Sequence, residues 1–353
     1  MASSDKEPGM TREWSEGNDM LMVPVTELSE GDCLGRDIYS PDGRLMLKRG
    51  AELSPKLIDG IKRLGQQYVY IEMSSRHGAE GGTDWKSNMR SVTKYVLRQL
   101  HEALLSNAPL PIKALMGWAD HISDTVYGET DLTLDWNQII KEKADLIEHS
   151  LNVCMLSVLT AKALGYKYKE LREIAIGSLL HDIGLVIPHN ETLLLHHPVV
   201  GHDILRKIPE IPQASLQIVL QHHEQIDGHG FPHGIEAPHV HQLAQICGIA
   251  SEFDYFMNGS LTERLPCEGI EFLMSKIDTA YSYVVVRAFL KVFQPYPIGT
   301  KVRLTGGING VVWEQNKSNP CRPVVVLETS GTRFDLLERP TFRIEAIRTA
   351  DYR

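Results

Sequence analysis

The stretch ELREIAIGSLLHDIG, Glu170–Gly184, decides how the surrounding chain folds. Its apolar residues recur three and four positions apart, which is the period of a helix with one buried face. The same period runs through LIEHSLNVCMLSVLTAKALGY, residues 146–166, and returns in GIEFLMSKI, residues 269–277. The pattern predicts a mainly α protein whose centre is an all-helical bundle domain over residues 137–295, an ordinary length for one domain.

The flanking segments are predicted to be smaller and to differ in character. Residues 1–21 are polar and predict a disordered leader. Residues 22–73 combine strand patterns, turn signals and a helix beginning near Ser54, which indicates a small α+β module. A Gly- and Ser-rich linker and further helices are predicted for residues 74–136. In residues 296–353, β-branched residues alternate with turn residues, which predicts a small β-rich segment.

Composition and charge are those of an ordinary soluble protein, with 42% apolar and 23% charged residues among 353. The net charge of −9 argues against binding a nucleic-acid polymer or an anionic membrane, because no basic surplus exists to replace counterions. An anionic substrate would therefore need a local positive charge, such as a bound metal ion, to attract it. The late apolar run, residues 280–293, is interrupted by Arg287 and Lys291 and is too short to span a bilayer. These features predict a cytoplasmic protein.

The cysteines predict no disulfide framework. They are odd in number, scattered and without CxxC spacing, which fits small buried side chains in a reducing cytoplasm. The five are Cys33, Cys154, Cys247, Cys267 and Cys321.

The histidines are clustered, because twelve of the fifteen fall between His149 and His241. Several lie on or at the end of a predicted helix, and helices of a bundle can direct side chains to one shared point. Neutral imidazole binds a metal without adding charge, whereas a carboxylate can bridge two cations. Two cations roughly 3.5–4 Å apart would activate water and clamp a phosphoryl group. The predicted ligands, suited to Mn, Fe, Co, Ni or Zn, are His149, His181, Asp182, His197, His222 and His223.

The stretch HHEQIDGHGFPHG, His222–Gly234, combines histidines, carboxylates and glycines around one proline. Asp227 can hold a ligand imidazole or the loop backbone, and glycines such as Gly230 allow close approach to a ligand. Pro232 stiffens the turn. The ring of Phe231 can stack on a base or pack on the bundle, and packing is the preferred interpretation.

The motifs EHSLNV, LLHDIG, HPVVG, HHEQIDGHGFPHG and IASEFD follow one another as they do in the HD-GYP family. Over residues 141–290 the chain resembles this family of bacterial cyclic di-GMP phosphodiesterases, which belongs to the HD metal-dependent phosphohydrolases. The resemblance implies a helical domain with two divalent metals, or three, of which Fe or Mn is expected. It also implies a cyclic dinucleotide as substrate, and it is compatible with a signalling-protein partner and with a homodimer.

The resemblance assigns roles to individual residues. His181 and Asp182 are the catalytic signature pair, and Asp145, one helical turn before His149, takes the position of an additional ligand. The segment DGHGFP corresponds to the family's GYP loop, with Phe231 in place of Tyr. The predicted substrate-binding residues are Asp227, Gly230, Phe231, Pro232, Asp254 and Arg264.

The sequence also departs from the family pattern. Leu185 stands where the family has a lysine, and Ser251 replaces a metal-binding carboxylate. The adjacent Glu252, which we include among the predicted ligands, or Asp254 three residues further on could substitute for it. The basic residues that follow this motif in the family are missing, which leaves Arg264 to contact a phosphate. Two functions remain: a phosphodiesterase of reduced activity, which we prefer, and a non-catalytic nucleotide receptor or protein-interaction scaffold. The identities of residues 185 and 251 separate the two.

Overall fold

The computed structural model describes residues 20–40, 43–66, 68–72, 85–135, 139, 145–187, 191–259 and 264–348. The contacts within the chain define two compact units, with the boundary between Tyr95 and Val96. The leader predicted for residues 1–21 lies outside the described residues as far as residue 19. Its last two residues, Met20 and Leu21, belong instead to a strand, because they pair with Glu72 and Ile71. The linker predicted to begin at residue 74 also lies outside the described residues, up to residue 84.

The first unit contains the predicted α+β module. Strand β1 (Met20–Pro24) is antiparallel to β4 (Tyr68–Glu72), and β2 (Ile38–Tyr39) pairs with β3 (Leu45–Leu47). The helix α1 (Pro55–Arg63) begins where the sequence predicted it. Its N-cap hydroxyl, on Ser54, accepts a hydrogen bond from the Leu57 N–H at 3.4 Å, which satisfies a free donor of the first turn. Buried aliphatic side chains from β1, β2, β4 and α1 contribute to a small core, and the partly buried Leu47 of β3 packs against it.

The second unit is mainly helical, as predicted. Ten α-helices occur in the described residues, and the helix α2 extends across the boundary between the units. After α1 they are α2 (Trp85–Leu105), α3 (Ile112–Gly128), α4 (Leu146–Ala163), α5 (Tyr168–Leu179), α6 (His197–Leu205), α7 (Gln213–Gln221), α8 (Gln242–Asn258), α9 (Pro266–Met274) and α10 (Tyr283–Val292).

The helix α4 is the central helix of this bundle. It packs against α3, α5, α8 and α10, and every residue from Ser150 to Ala161 is buried. A helix surrounded by other helices has no solvent face, which explains why its sequence is apolar on all sides instead of along one stripe. The helices that carry the predicted ligands are thereby held around a common centre. No helix among the described residues is long and apolar enough to cross a membrane.

A five-stranded antiparallel sheet follows α10. Its strands are β7 (Lys301–Leu304), β8 (Ile308–Glu314), β9 (Val324–Leu327), β10 (Arg333–Asp335) and β11 (Ile344–Ile347). They lie in the order β10-β9-β8-β7-β11. In β7, exposed and buried residues alternate, so that Val302 and Leu304 enter a small core beneath the sheet. This sheet confirms the predicted β-rich segment. Before it, β5 (Leu134–Asp135) and β6 (Phe293–Gln294) form a short parallel pair.

One cysteine pair corrects the prediction that the chain has no disulfide. Cys267, in the first turn of α9, is bonded to Cys321, with 5.6 Å between their Cα atoms. The two residues are 54 positions apart, so the spacing of the cysteines in the sequence does not indicate the bond. They meet because Cys267 packs against the core of the C-terminal sheet. Cys154 and Cys247 are buried thiols.

Candidate metal centre

Four of the predicted histidines lie at helix ends or in the central helix of the bundle. His149 is in the first turn of α4, and His181 follows the end of α5. His197 is the first residue of α6, and His222 immediately follows α7. Helix ends that converge on one point place these imidazoles together, as the sequence predicted.

Three of these imidazoles are fixed by the same local hydrogen bond. The Nδ1–H groups of His181, His197 and His222 donate to the backbone carbonyls three residues earlier, at 2.8, 2.5 and 2.9 Å. A carbonyl can only accept, so the proton lies on Nδ1 and the Nε2 lone pair is left free. Hydrogen bonds of this kind orient the histidine ligands of metal sites.

The free nitrogens point at one another. The Nε2 atoms of His149 and His181 are 3.2 Å apart, and those of His197 and His222 are also 3.2 Å apart. Two nitrogens at this separation can bind one cation at the roughly 2.0–2.1 Å usual for a metal–imidazole bond. Each pair therefore offers a ready-made position for a metal.

Asp182 lies between the two pairs and faces both. Its Oδ1 is 3.0 Å from His197 Nε2 and 3.5 Å from His222 Nε2. Its Oδ2 is 3.4 Å from His181 Nε2 and 3.5 Å from His149 Nε2. The carboxylate thus presents one oxygen to each pair, which is the arrangement expected of a bridging ligand.

Two ligand groups result, and together they form what we call the metal centre. Asp182, His197, His222 and His223 make the first group, and His149, His181 and Asp182 make the second. Within each group the ligand atoms lie within 4.8 Å of one another. Nitrogen and oxygen donors of this kind, free of competing hydrogens and largely buried, fit divalent transition metals.

At Asp182 and at three of the ligand histidines, the electrostatics favour the protonation states that a metal requires. Burial lowers the pKa of His181 to about 3, and it also lowers the pKa values of His222 and His223. Burial by itself would raise the pKa of Asp182, but the neighbouring histidines hold it well below its usual range. Neutral imidazoles around an ionised carboxylate are the forms that bind a cation without first releasing protons.

Asp254 supports the metal centre from behind, which differs from its predicted role in substrate binding. Its carboxylate accepts from His149 Nδ1 at 2.7 Å and from the side-chain amides of Asn152 and Asn258 at 2.7 and 2.8 Å. It is 1% exposed, so no substrate reaches it. Burial would lower the pKa of His149, but the hydrogen bond to Asp254 and the charge of Asp182 outweigh this and raise it.

Two further predicted ligands are not brought into the metal centre of the described residues. Asp145 is the N-cap of α4, where its carboxylate accepts from the Glu148 N–H at 2.8 Å. The carboxylate of Glu252 lies 3.6 Å from the ammonium group of Lys276. The hydroxyl of Ser251, by contrast, is 3.4 Å from His149 Nε2, beside the metal centre.

The loop 227–234 is attached to the metal centre by packing. Phe231 stacks on His223 with 4.3 Å between ring centres, and its N–H donates to the His223 carbonyl at 3.1 Å. A Cβ atom at Gly230 would collide with the backbone of residues 223–225, which explains the need for glycine. The packing interpretation of Phe231 fits this position.

A buried carboxylate that the sequence analysis missed holds the same loop. Glu224 accepts from the N–H groups of His233 and Ile235 at 2.8 and 3.1 Å and is 1% exposed. The sequence feature that could have identified Glu224 is its position directly after the ligand pair His222 and His223. Asp227 instead accepts from the His229 N–H at 3.1 Å within the loop, and no described contact joins it to a ligand imidazole.

A cavity of about 680 Å³ opens above the metal centre, within the usual range for a small-molecule site. Its floor includes His149, Asp182, His197, His223 and Ser251. Of the predicted substrate-binding residues, only Arg264 is among the described residues that line it. The remaining lining residues are Leu185, Leu194, Glu252, Tyr255, Phe256, Gly259, Phe272 and Lys276.

The ligand residues lie in a segment of the chain that matches a known family. Residues 136–273 match the HD domain family. The chain is 28% identical over 226 residues to a cyclic di-GMP phosphodiesterase of Pseudomonas aeruginosa, covering 58% of this chain and 53% of the relative. It is 29% identical over 167 residues to a cyclic di-GMP phosphodiesterase of Thermotoga maritima, covering 40% and 43%.

These relatives confirm the resemblance that the motifs indicated. The chain spans about half the length of the curated relatives it matches. Among solved structures, Bd1817, an HDG"Y"P protein from Bdellovibrio bacteriovorus, matches with a TM-score of 0.49 and 17% identity. That match covers 77% of this chain and 99% of the other. Both ligand groups, His149–His181–Asp182 and Asp182–His197–His222–His223, lie within the residues that match the HD domain family.

Proposed function

We propose that the chain is a metal-dependent phosphodiesterase that hydrolyses cyclic di-GMP to pGpG or GMP, and that its rate is reduced. The observation that carries the proposal is the position of Asp182, which turns one oxygen to each of two histidine pairs on the floor of a cavity. Two divalent cations, Fe or Mn by the family resemblance, fit this arrangement. The named activity of the relatives supplies the substrate.

When bound, such cations would supply a water of lowered pKa and positive charge for the phosphoryl oxygens. The residues of the chain hold and orient the ligands. Asp182 holds the two ligand groups together, and the carbonyls behind His181, His197 and His222 keep each Nε2 directed inward. Asp254 does the same for His149 through a carboxylate. The ligands are therefore pre-organised before any substrate arrives.

The rest of the cavity binds and shields the substrate. Leu185 and Leu194 contribute apolar surface beside the metal centre, which limits the access of bulk water. Arg264 lines the same cavity and offers a planar cation to a phosphate. Charge around the reacting phosphate is what stabilises a phosphoryl-transfer transition state.

Two substitutions account for the proposed reduction in rate. Ser251 places a neutral hydroxyl 3.4 Å from His149 Nε2, where the family pattern has a carboxylate ligand. Leu185 lines the cavity where the pattern has a lysine. The first removes a negative charge from the metal centre and the second removes a positive charge from the phosphate site.

A second candidate function follows from the same two residues. If the neutral Ser251 leaves the metals too weakly held for turnover, the domain would bind a cyclic dinucleotide without cleaving it and act as a receptor or scaffold. Its partner would then be another signalling protein.

One experiment separates the two functions. Metal content is measured on the purified protein, and cyclic di-GMP turnover is followed after loading with Mn or Fe(II). We expect bound transition metal and slow, metal-dependent formation of pGpG or GMP. Bound metal and bound nucleotide without turnover would favour the receptor, and a folded protein that takes up no metal would contradict both.

A further inference from the structure

The cavity has a wall that the metal centre does not use. Three residues of α8, Glu252, Tyr255 and Phe256, line the cavity together with the C-cap residue Gly259. Their spacing of three and four places them on one side of the helix. The helix α9 adds Phe272, and Lys276 follows one turn later. We call Arg264, Phe256, Phe272 and Lys276 the cation wall.

The four side chains of the cation wall form a continuous stack. The guanidinium carbon of Arg264 lies 4.0 Å from the ring centre of Phe256. The rings of Phe256 and Phe272 are stacked, with centres 4.3 Å apart and an angle of 8° between their planes. The ammonium group of Lys276 lies 5.2 Å from the ring centre of Phe272. Aromatic faces attract cations at such distances, so the stack positions a positive charge at each end.

Neither cation is fully satisfied by the protein. Lys276 Nζ is 3.6 Å from Glu252 Oε2, longer than the roughly 2.7–3.2 Å of a good hydrogen bond. Glu252 Oε2 and Arg264 Nε are buried and have no hydrogen-bond partner in the part of the chain that the structure describes. The side chains of Lys276 and Glu252 are 30% and 25% exposed. The ammonium group of Lys276 is therefore available to a ligand in the cavity, whereas the buried Nε of Arg264 is not.

The cation wall begins next to the metal centre. Ser251 contacts His149 at 3.4 Å, and the next residue, Glu252, faces Lys276. A ligand that reaches the metal centre with one anionic group can therefore meet the ammonium of Lys276 with another. Arg264 and Lys276 are the two Lys or Arg side chains among the described residues that line the cavity.

A cyclic dinucleotide has two phosphodiester groups, and only one can occupy the metal centre at a time. The second carries a full negative charge and, inside a cavity, needs a partner of its own. We propose that Lys276 binds this second phosphate, and that the chain thereby distinguishes cyclic dinucleotides from compounds with a single phosphodiester. The inference rests on the proposed function, because it takes a cyclic dinucleotide as the ligand.

The test is the binding of a phosphorothioate analogue of cyclic di-GMP, which resists hydrolysis, to the full-length protein as purified. Calorimetry compares the wild type with Lys276→Gln, Lys276→Arg and, as a matched control, Lys207→Gln. Lys207 is exposed and lies outside the cavity. We expect binding to weaken about tenfold or more in Lys276→Gln, as for the loss of one charge-assisted hydrogen bond. Lys276→Arg and Lys207→Gln should bind like the wild type.

Equal binding by Lys276→Gln and the wild type overturns the inference, as does the absence of any binding by the wild type. Hydrolysis of bis(p-nitrophenyl) phosphate, which has one phosphodiester, provides the second measurement. Lys276→Gln should leave its KM and kcat unchanged; an equal loss toward this compound would show that Lys276 acts through the fold or the metal centre. If the wild type hydrolyses neither compound, the proposed function fails, while the binding comparison still decides the role of Lys276.

Discussion

Four of the five histidines of the metal centre are fixed by a backbone carbonyl or a buried carboxylate. The charged ends of the cation wall are instead held by ring faces and one long ion pair. The bonds behind His181, His197 and His222 span three residues and are present wherever the helix ends as it does here. The cation wall combines α8, α9 and Arg264, and its ions remain partly exposed. The metal centre is therefore rigid before it binds anything, and the wall can adjust to its ligand.

The largest effect should come from the residue that joins the two ligand groups. Asp182→Asn removes the charge that faces all four Nε2 atoms, so we expect metal affinity to fall by more than the roughly 10–100-fold typical of supporting residues. Metal content after dialysis measures it. The matched control is Asp203→Asn, on the exposed side of α6, which should keep its metal. Normal metal content in Asp182→Asn would show that the histidines suffice alone.

Restoring the family pattern should raise activity. Ser251→Asp adds a carboxylate beside His149, and Leu185→Lys adds a cation at the cavity. One well-placed charge in such a site is worth on the order of a hundredfold in rate. The double variant should hydrolyse cyclic di-GMP faster than the wild type under the same metal. Ser251→Asn is the uncharged control and should bring no gain.

No gain in a fully metal-loaded double variant would contradict this account. The receptor function would then be favoured, since the deficit would lie in neither of the two replaced charges.

A supporting residue should have a smaller effect than a ligand. Asp254→Asn keeps the shape of the side chain but weakens the bond that fixes His149 Nδ1. We expect about a tenfold loss of metal affinity, measured by competition with a chelator. A loss as large as that of Asp182→Asn would mean that Asp254 is itself a ligand.

The smallest effect is expected outside the segment that matches the HD domain family. Both ligand groups lie in the second unit, so deletion of residues 1–72 should leave metal content unchanged. Circular dichroism shows whether the helices remain folded. Loss of metal from a folded truncated protein would show that the predicted domain boundary is misplaced.

The metal centre was predictable to the extent that its contacts are local. His181 and His222 are oriented by carbonyls three residues away, so a helix pattern and a histidine at its end suffice to predict them. Asp254 supports a histidine 105 residues away. Since the sequence shows a carboxylate but not the direction in which it points, its role was assigned to the substrate.

The cation wall could not be predicted, for the same reason. Lys276 belongs to no motif, and its position depends on how α9 packs against α8. The small N-terminal module and the C-terminal sheet were predictable as classes of structure from turn and strand patterns, because those patterns are local. The bond between Cys267 and Cys321 was missed because it depends on tertiary packing.

That bond has a consequence for the unfolded chain as well as for the folded one. By linking residues 54 positions apart, it limits the conformations available after unfolding, which in the chain-entropy estimate stabilises the fold by roughly 4 kcal/mol. A stabilisation of this kind depends on the surrounding thiols, since a reducing compartment breaks the bond and removes the stabilisation. The attachment of the C-terminal sheet to α9, the helix that carries Phe272 of the cation wall, is thus coupled to the redox state around the protein.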